Sequence, residues 1–93
     1  MSRVEKILEL SRKRREDTHK EIADLLLDHE EDPYLLRANS VLRRAGILLG
    51  AAQQAYAQSQ KTADLLEPLL KAMHMIGFAE AMKDVHTLLQ NDE

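Results

Sequence analysis

The sequence predicts an all-α fold, an antiparallel three-helix bundle over about residues 3–29, 33–59 and 64–90 in a single domain, 1–93. Three observations carry that prediction. Leu35, Ala38, Leu42, Ala45, Leu49, Ala52 and Tyr56 recur at alternating steps of three and four; Tyr34, Val41, Leu48 and Ala55 run beside them at strict sevens; and the two turn signals, Asp28 to Pro33 and the polar stretch before Pro68, divide the chain into three helix-length pieces.

The first helix opens at Ser2, with Glu5 three residues on in capping-box spacing, and Val4, Ile7, Leu8, then Ile22, Leu25 and Leu26 share one face. Between these clusters Ser11 to Glu21 carries no apolar side chain, and the core-facing slots fall to Ser11, Arg15 and Thr18. The middle of this helix therefore cannot make ordinary core. Asp32-Pro33 reads as an N-cap followed by proline at the first helical position, where a missing N–H costs nothing. So short a connection makes the first two helices antiparallel neighbours, and counting outward from the turn sets residues 11–21 opposite 41–51, including Ala45, Gly46, Gly50 and Ala51.

A break is expected near 60–63, with the third helix starting at Asp64 and Pro68 in its first turn. Leu65, Leu66, Leu69, Leu70, Met73, Ile76, Phe78, Met82, Val85, Leu88 and Leu89 give it an apolar face. Gly77 makes it either one bent helix or two short ones, and the single bent helix is the favoured reading. The antiparallel count puts Met73 to Phe78 over the small residues Ala45, Gly46 and Ala52, with flexible methionine and one aromatic filling the space.

Composition narrows the function classes. A net charge of −3 with 31% charged residues gives no global pull toward nucleic acid or an acidic membrane. Ten of the thirteen Lys and Arg nevertheless lie in residues 1–44, so any anion-binding face would be built there. The chain has no cysteine, hence no thiolate chemistry, and its few aromatics lower the expectation of base or sugar stacking. The charged N-terminus lacks the apolar region of a signal peptide, and a cytoplasmic location without membrane insertion is expected.

The candidate anion-binding residues are Arg12, Lys13, Arg14 and Arg15, with Arg43 and Arg44 on the neighbouring helix. Acids interleave the first four: Glu9 with Lys13, Arg12 with Glu16 and Glu16 with Lys20 are spaced i, i+4, as on a solvated, self-neutralised helix. Nucleic-acid regulation is accordingly the alternative reading. Glu16-x-x-His19 has half of a di-iron helix motif but no second half, so neither a metal nor a cofactor is expected. Phosphate-loop, nucleophile-elbow and HExxH signatures are missing, which argues against an enzyme.

The leading expectation is an interaction module, a chaperone, adaptor or antagonist, that binds a protein partner or a second copy of itself through helices two and three. The residues singled out are Leu36, Val41, Ile47, Leu48, Ala52, Met73 and Phe78, spaced as apolar anchors. The Arg3-Val4-Glu5-Lys6-Ile7-Leu8 opening, Ser11-Arg12, Asp32-Pro33, Asn39-Ser40 and the Ala-rich run after them give the first two thirds a pattern that resembles small helical-hairpin cochaperones of bacterial type III secretion systems. That resemblance implies a hairpin that pairs with a larger helical chaperone and shields an aggregation-prone export substrate. The extra segment Asp64 to Gln90 departs from the pattern, on the face a partner would use.

Overall fold

The computed structural model describes residues 2–91, which form three helices: α1 (Arg3–Asp28), α2 (Pro33–Ser59) and α3 (Thr62–Asn91). Short connections make them run up, down and up, so α1 and α3 are parallel. Local chemistry explains each boundary. Ser2 caps α1, its Oγ accepting from Glu5 N at 3.2 Å, and α1 ends when His29 N–H donates to Leu25 O at 3.0 Å. Asp32 caps α2: Oδ1 accepts from Tyr34 N at 2.9 Å and Leu35 N at 3.1 Å, with Pro33 at the first position. At the other end Gln60 takes the left-handed conformation, φ 53°, that reverses the chain.

The third helix can be compared with expectation at its start and at Gly77. It starts at Thr62, so Pro68 lies in its second turn, where it cannot donate to the Asp64 carbonyl. In the second respect it follows the favoured reading, running as one helix through Gly77, because Ile76 and Ala79 on either side are fully buried and packing outweighs the local glycine cost of about 1 kcal/mol.

The core is built chiefly between α2 and α3, which make the most extensive contact; α1 packs less on α2 and least on α3. Leu35, Ala38, Leu42, Ala45, Leu49 and Ala52 meet Leu65, Leu69, Ala72, Ile76 and Ala79, all buried. Alanine recurs every seven residues on both helices, at 38, 45, 52 and at 72, 79, which lets the backbones approach while the Leu and Ile between them interdigitate. Thus α3 supplies the cover that the centre of α2 requires. The expected filler is corrected, however: Ala72, Ile76 and Ala79 occupy that space, while Met73 and Phe78 lie exposed on α3 outside the seam. The three-four series that begins at Leu65 passes through the alanines and not through Met73 or Phe78.

α1 sits on this hairpin through Val4, Leu8, Ser11, Arg15, Thr18, Ile22 and Leu25, a row apolar at both ends and polar in the middle, as its sequence requires. Arg15 Nη1 donates to the Leu42 carbonyl oxygen at 3.1 Å. Its guanidinium lies against Gly46, where an added Cβ would come within 3.0 Å of Arg15 Cζ, so the glycine makes the room that the arginine needs. Thr18 satisfies its buried hydroxyl by donating to Arg14 O at 2.8 Å. The described chain is a rod of 51 × 19 × 18 Å, in which each helix buries one side and offers the others to solvent.

Candidate functional site

The candidate cations do not share a face. Arg12 Nη1 donates to Gln53 Oε1 of α2 at 2.9 Å, Arg15 points inward to the Leu42 carbonyl, and Arg14 grips Glu80 of α3, with Nε to Oε2 at 3.1 Å and Nη2 to Oε1. The Arg14 hydrogen bond and charge hold the Glu80 carboxyl below its ordinary range against the opposing effect of burial, and the same bond raises Arg14. Lys13 is exposed on the outer side of α1. Arg37, seven residues before Arg44, places its guanidinium 5.6 Å from the centre of the Phe78 ring, which assigns Arg44 to the flank turned away from α1. Arg43 is exposed on the outer side of α2.

Two apolar surfaces flank the α2–α3 hairpin. On the side away from α1 lie Tyr34, Val41 and Leu48 of α2 with Met75, Phe78 and Met82 of α3; Val41, Leu48, Met75 and Met82 are half-buried against the core and open on their outer side. On the α1 side lie Leu66, Leu70 and Met73 of α3 and Ile7 and Leu10 of α1, all exposed, with Leu70 at 52% and Leu10 at 66%. The anchors named from sequence are thus divided. Val41 and Leu48 lie on the first surface and Met73 on the second, while Phe78 stands on the back of α3 and borders both, lining one groove with Tyr34 and Met82 and another with Leu70 and Met73. Leu36 and Ile47 stand on the outer side of α2, Ile47 73% exposed. Ala52 is fully buried in the α2–α3 seam, where an outside partner does not reach it, because its place in the three-four row makes it core.

Ile7, Leu10, Leu66, Leu70, Met75 and Met82 were not among the anchors expected from sequence. The signal was present: Leu66 and Met73, and Ile7 and Arg14, are heptad partners displaced sideways from the buried rows, and an apolar residue so displaced rims a helix pair instead of filling it.

A third cluster joins the helix ends. His86, 2% exposed, donates from Nδ1 to Asp32 Oδ2 at 2.7 Å; a carboxylate only accepts, which fixes the proton on Nδ1. The His29 ring meets the His86 ring edge-on at 4.7 Å. Burial alone would raise Asp32, but the bonds from His86, Leu35 N and Tyr34 N outweigh it and hold the carboxyl below its ordinary range. Among the described residues no group of three or more His, Asp or Glu is placed to hold a metal ion, and no helix is long and apolar enough to cross a membrane. No family model matches the chain, and neither a curated protein nor a solved structure gives a match.

Proposed function

We propose that this chain is a non-enzymatic protein–protein interaction module, a small chaperone, adaptor or antagonist working in the cytoplasm. The observation that carries the reading is the pair of apolar surfaces flanking one well-packed hairpin, at Val41, Leu48, Met75 and Phe78 on one side and at Ile7, Leu66, Leu70 and Met73 on the other. Large apolar side chains left open beside a finished core are what a partner helix uses as anchors, and a hairpin held by its own seam presents them already ordered. The likeness of the first two helices to the type III secretion cochaperones points the same way, and α3 would then occupy the place of part of the larger chaperone.

Charge placed on either surface tests the reading. Leu48→Asp and Leu70→Asp should each keep the helical circular dichroism of the parent, since neither residue is fully buried. At least one should abolish a complex captured from the native cytoplasm, or a self-association seen by light scattering. Unchanged capture and unchanged mass in both variants would remove the proposal.

A further inference from the structure

The α1–α3 groove has two unlike halves. Towards the Asp28–Asp32 turn it is closed by ion pairs, Arg14 with Glu80 and Glu21 with Lys83. Towards the Gln60–Lys61 turn it is open and apolar. Because α1 and α3 are parallel, the register that sets Arg14 against Glu80 also sets Ile7 beside Met73, each seven residues earlier. Leu70 and Met73 line a groove with Arg14, and the helical spacing sets the exposed Ile7 and Leu10 of α1 and Leu66 of α3 along its continuation, so the apolar side chains of the open half follow the line between the two helices.

Its rim is charged with one sign. Around α1, moving outward from the seam, the open half carries Arg14, then Arg3, then Lys6 and Lys13, with no acid among them. The acids of the same half, Glu5 and Glu9, line the opposite side of α1 together with Gln53 and Tyr56 of α2. On the α3 side the rim is His74, Gly77 and Phe78, and the nearby Glu67 is already paired with Lys71 at 3.2 Å. In the closed half the lines of Arg14 and Arg3 turn acidic, at Asp17, Glu21, Asp24 and Asp28, while the outermost line continues to Lys20.

We propose that the open half of the α1–α3 groove is the docking site for an acidic amphipathic helix of a partner protein, whose apolar stripe packs on Ile7, Leu66, Leu70 and Met73 while its flanking carboxylates meet Lys6, Lys13 and Arg3. This rests on the interaction-module reading above and adds to it the face, the shape of the ligand and the sign of its charge. Apolar contact supplies the affinity and the cationic rim the orientation and selectivity.

Two synthetic peptides test it, both helical with leucine at i, i+3, i+4 and i+7, one flanked by glutamates and the other by lysines, their binding to the full chain read by fluorescence anisotropy. The glutamate peptide should bind at least about tenfold more tightly, with a margin that shrinks as salt screens the rim. Leu70→Glu and the double change Lys6→Glu, Lys13→Glu should each remove that binding, and Leu27→Glu, on the most exposed apolar residue of α1, should leave it intact. Equal binding of both peptides, or loss on Leu48→Glu but not on Leu70→Glu, overturns the groove assignment while leaving an interaction module in place. Binding of neither peptide also overturns it, as does cosedimentation with phosphatidylserine vesicles in their stead; the wider reading then stands or falls on the capture experiment alone.

Discussion

The two interfaces of this bundle are built on different principles. Between α2 and α3 the seam positions from Leu35 to Ala52 and from Leu65 to Ala79 are Leu, Ile or Ala and all buried, and small residues at sevens bring the helices together. Between α1 and that hairpin the middle third is Ser11, Arg15 and Thr18, and the cross-ties are polar: Arg12 to Gln53, Arg15 to the Leu42 carbonyl, Arg14 to Glu80 and Lys83 to Glu21. Exposed ion pairs contribute about 0.2–1 kcal/mol each, whereas each fully buried Leu or Ile contributes about 1.5–3 kcal/mol. The hairpin is therefore the stable unit, and α1 is the helix whose attachment responds to conditions.

The largest way to break that contrast is Ile76→Ala, at a fully buried residue of the hairpin seam. A loss of about 2–5 kcal/mol in urea unfolding is expected, with all three helices melting together. A loss under about 1 kcal/mol would show that the seam is not where stability resides.

Acid should separate the two interfaces more gently. Glu80 and Asp32 both have carboxyls held below their ordinary range, so their contribution is fully present above the unfolded value, about 4, and disappears as pH falls through the lower folded value. Loss of the Glu80 charge releases Arg14 of α1, whereas Asp32 lies at the end of the hairpin. Amide hydrogen exchange followed down the pH scale should show α1 losing protection before the centres of α2 and α3, and Glu80→Gln should show that loss already at neutral pH. Simultaneous loss in all helices would contradict it.

The smallest effect compares two glycines on α2. Gly50→Ala meets no atom within 4 Å and should stabilise the protein by about 0.5–1 kcal/mol in thermal unfolding. Gly46→Ala gains the same helix preference but pushes the Arg15 guanidinium off the Leu42 carbonyl, and should gain measurably less. Equal gains would mean that the arginine contributes nothing to seating α1.

Most of the fold could be read from the chain because its signals are local. The bounds of α2 follow from Asp32-Pro33 and from the three-four row, and the polar middle of α1 was visible as eleven residues without an apolar side chain. What was less legible was lateral position. Met73 and Phe78 look like better core than Ala72 by size, and although the three-four series from Leu65 passes through the alanine, the close approach of α2 is what makes so small a residue the core and the two larger ones the rim. The Asp32–His86 bond links residues 54 positions apart, and no spacing rule along one helix announces such a contact. The groove on the α1 side was hidden for the same reason, since it takes one wall from each of two helices that are distant in sequence.

The Asp32 carboxylate accepts three hydrogen bonds, two from the start of α2 and one from His86 near the end of α3. A seam of Leu and Ala repeating every seven residues has a weakness: slid by one heptad, it matches itself almost as well, as a zip does when started a tooth out of place. His86 occupies a seam position in the same series as Leu65, Ala72 and Ala79, and it alone of these offers an N–H. Only one alignment brings it to Asp32. Any other leaves a buried imidazole without its acceptor. The bond thus acts as an index mark, selecting one alignment from several that apolar packing alone would not tell apart.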